Sequence, residues 1–344
     1  MRASRPWITF DLATVLSLVL VLALSRMAYS HWIVVHQVNM ADMDAAWRSV
    51  LDRTPHWRAY QNRLLGPAVL MVMGWVASTP LVLFVKGALV ALNMALYLMV
   101  RQCTGSHLKS IFTVVLATMM WTVLTHYWSY PWDYIEAACL LALVHMAMRG
   151  WSLPGMLLLF GVALLNRESA VFIGFFLFAY GAALRWTGPA GPSQDMQAAA
   201  RKWMAWGLGL MLLTLVWTEA LRHALFDYSS LAGIRDDAQH LGFGNHRNHA
   251  ANLEVVLNMW RAPQPVFFVI ALLGMALLKT LVQAVRIRSA ALLAMGVTLV
   301  AYLLSLAEFG LLSESRIYQP LVWCLPLLLA HAWVAEPQPA VSRG

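Results

Sequence analysis

Residues Pro154–Leu184 read PGMLLLFGVALLNRESAVFIGFFLFAYGAAL. Two apolar runs, Pro154–Leu165 and Ser169–Leu184, meet at Asn166-Arg167-Glu168 with no Gly or Pro turn between them. Each is short against the ~20 residues of a full membrane crossing. A pair of short apolar helices meeting at charged residues is how membrane proteins place a site below the bilayer surface.

The rest of the chain repeats the apolar theme. Its 344 residues are 60% hydrophobic and 12% charged, with a mean hydropathy of +0.64. An ordinary soluble domain carries about 25% charged residues. The deficit excludes a soluble enzyme, a disordered tail and a disulfide scaffold. Further runs at Ile8–Met27, Pro80–Val100, Ser110–Leu124, Tyr134–Met148, Trp203–Ala220, Pro265–Val285, Ala290–Leu311 and Ile317–Val334 bring the expected count to about ten crossings. The predicted fold is an all-α, polytopic transmembrane helical bundle, a single integral membrane domain over residues 1–344. Ala28-Tyr29-Ser30 loosely resembles a signal-peptide cleavage site, but a retained first helix suits so many later spans better.

Charge sets the expected orientation. With the N-terminus in the cytoplasm, Arg101, Lys109, Arg149, Arg185, Arg201, Lys202, Arg286, Arg288 and Arg343 all fall inside, as the positive-inside rule requires. The acids go the other way: all but Asp11, Asp195 and Glu336 fall on or near the outer face. Both termini are therefore expected in the cytoplasm. The net charge of +8 is topological, because no Lys/Arg cluster of the kind that tracks a phosphate backbone is present; no nucleic-acid partner is expected. Cys103, Cys139 and Cys324 show no paired spacing.

Two extracytoplasmic loops are expected, residues 29–63 and 223–264. In the first, Trp47, Val50 and Leu51 form an apolar stripe while Arg48 and Asp52 pair at i,i+4 before Pro55 stops the helix. The stretch Leu64–Ala77 would break the inside–outside alternation if it crossed, so it is expected to lie in the outer interface or to start the second crossing obliquely.

The candidate chemistry lies outside. Asp42 and Asp44 could jointly hold a divalent cation such as Mg or Mn, or one could act as general base; the plainer alternative makes Asp44 a helix N-cap. Arg167 and Glu168, and Glu314 and Arg316, are either self-paired anchors or parts of a site, since intramembrane charge is a site hypothesis by default. Trp128, Trp132 and Asp133 lie in an aromatic turn that is either an interfacial belt or a platform for sugar rings. Arg58 and Arg63 are placed to meet a lipid phosphate or to snorkel. His240, His246 and His249 match no catalytic zinc spacing, and GxxxxGK[ST], GxSxG and HExxH motifs are absent.

An outer acidic pair after the first crossing, an amphipathic helix in that loop, about ten spans, Asn166-Arg167-Glu168 and Glu314-Ser-Arg316 together resemble the GT-C superfamily of polytopic membrane glycosyltransferases. The likeness is strongest to bacterial members with an NRE apex and a late ExR pair. The resemblance implies a sugar donor on a polyprenyl phosphate, an inner-membrane location, and a catalytic role for Asp42 or Asp44, with Glu168 beside them. Arg63, Arg167 and Arg316 would neutralise the departing phosphate, with Glu314 beside Arg316, and Trp128, Trp132 and Asp133 would hold sugar. The chain lacks the large soluble C-terminal domain of many members, so the acceptor stays open among glycan, lipid and protein. The competing class is a multi-pass transporter or lipid-linked-glycan flippase, for which Lys86, Asn93, His145 and Lys279 speak; a third is an acyltransferase using His126 or His145.

Overall fold

A computed structural model describes residues 11–53, 63–125, 129–187, 193–225, 249–258, 265–309, 312 and 315–334. Among them are thirteen α-helices, with no strand. They are α1 (Leu12–His36), α2 (Met40–Leu51), α3 (Leu65–Gly74), α4 (Pro80–Thr104), α5 (His107–Leu124), α6 (Pro131–Arg149), α7 (Leu153–Asn166), α8 (Val171–Thr187), α9 (Gln194–Leu225), α10 (His249–Asn258), α11 (Pro265–Arg286), α12 (Ala290–Phe309) and α13 (Gln319–Val334). The chain is an all-α helical bundle of a membrane protein.

Eight helices are long and apolar enough to span a bilayer: α1, α4, α5, α8, α9, α11, α12 and α13. The apolar helix α7 has only 14 residues, and α6 has 19 but carries Asp133, Glu136 and His145. Both nevertheless run through the bundle. The end of α7 meets the start of α6, where Asn166 Nδ2 donates to the Trp132 carbonyl at 2.9 Å. The far ends of α6 and α13 adjoin through His145 and His331, and His331 touches Cys103 at the end of α4. Counting these two gives ten helices that run from end to end among the described residues, the number the apolar runs suggest.

Contacts fix the direction of the first helices. Ser17 and Asp11 at the start of α1 approach His107 at the start of α5, and Tyr97 near the end of α4 bonds the same ring at 2.7 Å. So α1 runs from this cationic end to the far end, and α4 runs back. Residues 37–79 therefore begin and end at one end of the bundle, and α2 and α3 do not cross it. They pack on each other, and α3 packs on α4, α6 and α7. Gly66 is what lets α3 lean on α6: a Cβ there would stand 3.2 Å from the Trp132 backbone nitrogen.

Local details depart from the sequence reading. Helix α1 continues to His36 rather than stopping at Met27, so Tyr29 lies inside it and the first loop begins later. In α2 the buried stripe is Met43, Ala46, Trp47 and Val50, with Leu51 half-buried. Arg48 pairs back to Asp44 at 2.7 Å, not forward to Asp52, because the helix ends at Leu51 and Asp52 is its C-cap. The chain leaves through Arg53 at φ 62. Asn39 is the N-cap, so Asp44 sits in the second turn. Helix α9 starts at Gln194 and holds Arg201 and Lys202 within it.

The centre of the bundle is α13, which packs on α4, α5, α6 and α11. A buried polar link ties it down: Trp323 Nε1 donates to Asn93 Oδ1 at 3.0 Å, and Asn93 Nδ2 donates to Ser25 Oγ at 3.1 Å. One amide thereby joins α1, α4 and α13, with both its oxygen and its nitrogen engaged. The widest interface joins α8 and α9, where backbones touch through Gly174, Gly181 and Gly207. Close approach over small residues is how helices associate where lipid removes the hydrophobic drive between them. A Cβ on Gly207 would lie 2.4 Å from the Phe178 nitrogen, whereas one on Gly161 meets nothing within 4 Å. Gly207→Ala is therefore expected to cost about 1–3 kcal/mol of stability through overpacking. Gly161→Ala should leave it level or slightly raised; thermal unfolding of the two variants in mild detergent checks the contrast.

Candidate functional site

The site is built from segment ends. Helix α7 stops because Arg167 takes an extended backbone, φ −168 and ψ 156, and a short 3-10 turn, Glu168–Ala170, then leads into α8. That break, made without Gly or Pro, swings the Arg167 side chain off the helix axis and onto α6. Its Nη1 donates to Glu136 Oε2 at 2.7 Å and lies 3.5 Å from Asp133 Oδ1. Both carboxylates are buried, Arg167 is 18% exposed, and Tyr302 of α12 donates its hydroxyl to Glu136 Oε1 at 3.2 Å. The other Asp133 oxygen accepts from the Tyr130 backbone nitrogen at 3.0 Å and caps α6.

Helix length constrains depth. At 1.5 Å per residue α7 spans about 21 Å against a hydrocarbon layer of about 30 Å, so its two ends cannot both reach the interface. An unpaired charge below the interface is costly, and two carboxylates with a tyrosine hydroxyl meet that requirement.

Beside this network stands a four-layer stack. Tyr130 and Trp132 stack at 4.6 Å between centroids with planes 16° apart. The Arg316 guanidinium carbon lies 5.0 Å from the Tyr130 centroid, and that of Arg63 lies 5.1 Å from the Trp132 centroid. Each ring gives one face to the other, so the two cations occupy the outer faces. Each such contact is worth about 0.5–2 kcal/mol, more where water is excluded. Arg63 is buried and sits 4.0 Å from the half-exposed Glu168 carboxylate. Segment 63–64 is also stitched to α7, through the Leu64 nitrogen and the Leu165 carbonyl at 3.0 Å. Nearby, Gln319 donates to Ser129 Oγ at 3.1 Å.

The structure thus brings Arg63, Asp133, Arg167, Glu168, Arg316 and Trp132 to one end of the bundle. It adds Glu136 and Tyr302, which the sequence did not single out, and Tyr130 from the aromatic turn. Glu136 lies one turn after Asp133 on the same face of α6, which was the one signal that could have found it.

Two expectations change. Asp42 and Asp44 cannot jointly chelate a cation, since residues two apart on a helix point about 200° apart. Asp42 is exposed, while Asp44 accepts from Trp47 Nε1 and Arg48 Nε, both at 2.7 Å. Trp132 is fully buried with both faces covered, so it forms a wall rather than a surface for sugar. Among the described residues no group of three or more metal-ligating side chains is placed to hold a metal ion. Trp128, Glu314, Arg58, His126, His240 and His246 lie outside the described residues, as does the side chain of His249. Asn93 is engaged with Ser25 and Trp323, and Lys86 and Lys279 are exposed on the outside of the bundle.

No protein-family model matches the chain, and neither a curated protein nor a solved structure matches it.

Arg167→Leu leaves two carboxylates buried without their cation and is expected to destabilise the protein by about 3–5 kcal/mol. Removing Glu136 as well, in Arg167→Leu/Glu136→Gln, should recover more than 1 kcal/mol of that loss. Unfolding of the two single variants, the double variant and the parent in detergent measures the coupling.

Proposed function

We propose that the protein is a membrane glycosyltransferase of the GT-C kind, moving a sugar from a polyprenyl-phosphate donor to an acceptor at the extracytoplasmic face of a bacterial inner membrane. The observation that carries this reading is the one-sided gathering of Arg63, Arg167 and Arg316 with Asp133, Glu136 and Glu168 at one end of an apolar bundle. The end opposite holds the cations of the short connections, so the positive-inside rule puts this cluster outside. Transport needs polar groups along a path to both faces. Here one buried polar residue of the bundle, Asn93, is held by Ser25 and Trp323.

The geometry divides the arginines by task. Arg167 is paired through Nη1 with Glu136 and Asp133 and positions the ends of α6 and α7. Arg63 backs Trp132 and stands beside Glu168. Arg316 is half-exposed on the far face of Tyr130, where its guanidinium can meet a phosphate by charge-assisted hydrogen bonds. Because Arg63 and Arg316 lie on opposite outer faces of the ring pair, they do not converge on one phosphate.

In the transfer, the acceptor hydroxyl attacks the anomeric carbon as a carboxylate takes its proton. The bond from that carbon to the phosphate oxygen breaks, the electron pair goes to the phosphate, and Arg316 balances the charge that develops there. Of the three candidate carboxylates, Asp42 and Glu168 are open to take the proton, since Asp44 is engaged within α2. Radiolabelled polyprenyl-phosphate sugars incubated with detergent-purified protein and a panel of membrane acceptors test the reading. Arg316→Gln is expected to raise the donor KM, and Asn or Gln at the base among Asp42 and Glu168 to lower kcat about 100-fold or more. Asp44→Asn should stay within a few-fold of the parent. No transfer to any acceptor, together with solute flux in proteoliposomes, overturns it.

A further inference from the structure

Helix α12 ends at Phe309, and the carbonyls of its last turn have no donor within the helix. One of them is met from another helix. Asn252 of α10 donates its Nδ2 to the Ala307 carbonyl at 2.7 Å, and its Oδ1 accepts from the Leu312 nitrogen at 2.9 Å. A single buried amide thus fastens the end of α12 to the chain that leaves it.

The sequence of α10 explains why that amide faces inward. Over His249–Asn258 the helix presents three sides. Asn252 and Val255 turn toward the protein, Leu253, Val256 and Leu257 form an exposed apolar stripe, and Glu254 and Asn258 stand exposed on the third side. This is the pattern of a helix lying in a membrane interface, where protein, lipid and water each take one side. Asparagine is a poor residue for a helix interior, so its presence answers to what the amide bonds and not to the helix itself.

What Asn252 fastens leads to Arg316. The Leu312 carbonyl accepts from the Tyr318 hydroxyl at 3.3 Å, so Leu312 is held through both of its backbone groups. Ser315–Tyr318 form a 3-10 turn, and the Ile317 carbonyl in it lies 3.5 Å from the Tyr302 hydroxyl. Arg316 sits in that turn with its guanidinium carbon 5.0 Å from the Tyr130 centroid. A long side chain keeps one place over a ring only while the backbone that carries it is fixed by its neighbours.

We infer that Asn252 is a positioning residue for Arg316: acting through Leu312, it holds the arginine over Tyr130, so that α10 governs how tightly this end of the bundle binds a phosphate monoester. The inference rests on the reading of Arg316 as the partner of a phosphate. It goes past that reading by making the affinity depend on a helix outside the arginine cluster.

Two measurements on the full chain in mild detergent test it, and neither needs turnover. Farnesyl monophosphate, a short isoprenoid phosphate, is titrated against parent and variants, and hydrogen exchange is followed over residues 312–318. Asn252→Leu keeps the volume and removes both bonds. It is expected to speed exchange over that segment and to weaken binding about fivefold, the size of one net hydrogen bond. Arg316→Gln should weaken binding at least as much, and the double variant should bind like Arg316→Gln alone, because nothing is left for Asn252 to position. Tyr318→Phe removes the other hold on Leu312 with little change in volume; it should act in the same direction and serves where Asn252→Leu folds poorly. Asn258→Leu, a similar change on an exposed side of α10, should alter neither readout. Parent-like binding in both Asn252→Leu and Tyr318→Phe overturns the inference, as do losses that add in the double variant, or a parent that does not bind farnesyl monophosphate. Where sugar transfer is measured, Asn252→Leu should raise the donor KM with kcat held; an unchanged KM removes this inference and leaves the transferase reading. Binding that follows the expected pattern without any transfer does the reverse.

Discussion

A guanidinium set into an apolar bundle has to be answered by anions, and Arg167 is answered by Asp133 and Glu136. That pairing dictates where helices begin and end. Helix α7 must stop at Asn166 so that the chain can turn extended and aim Arg167 sideways. Helix α6 must start beside it, with its first two turns offering both carboxylates on one face. Helix α12 must bring Tyr302 within reach of the remaining Glu136 oxygen. Replacing the three charges by apolar residues of similar volume need not weaken the bundle, since buried ion pairs often break even against good packing. Their presence in a chain so poor in charge therefore speaks for a task beyond holding helices together.

The same economy runs through the other polar contacts. Asn93 serves three helices with one amide, and the Tyr130–Trp132 pair serves two cations with two outer faces. Such arrangements put rigid aromatic surface where a flexible charged side chain needs a fixed position. Arg316 is held over Tyr130, whose ring is held by Trp132, whose carbonyl is held by Asn166. The orientation of one half-exposed guanidinium thus depends on the end of a helix more than a hundred residues earlier in the chain.

Much of this was legible in the sequence because hydrophobic run length and flanking charge report directly on membrane helices. The break at Asn166-Arg167-Glu168 could be read because three polar residues stand between two short apolar runs, although a self-paired anchor would have looked the same. Glu136 was legible only as a second acid one turn after Asp133, and Tyr302 not at all, since only the packing of α6 against α12 brings the two together. Asp44 drew attention by its neighbour Asp42, yet sequence spacing does not say which way a helical side chain turns, and Trp47 and Arg48 claim it. The ends of α1 and α9 were misjudged for a related reason: apolar runs mark the membrane, whereas helices continue past it while their backbone bonds can be made.

The shortness of α7 has a consequence for the membrane itself. Leu158, Val162 and Leu165 expose one side of this helix to lipid, so the bilayer there meets an apolar wall of about 21 Å. Elsewhere the apolar part of α9, Trp203–Ala220, offers about 27 Å. A single annulus of lipid cannot match both, and the mismatch costs fractions of a kcal/mol per ångström. The protein thus carries a thickness gradient around its circumference, and bilayers that thin easily on one side will hold it best.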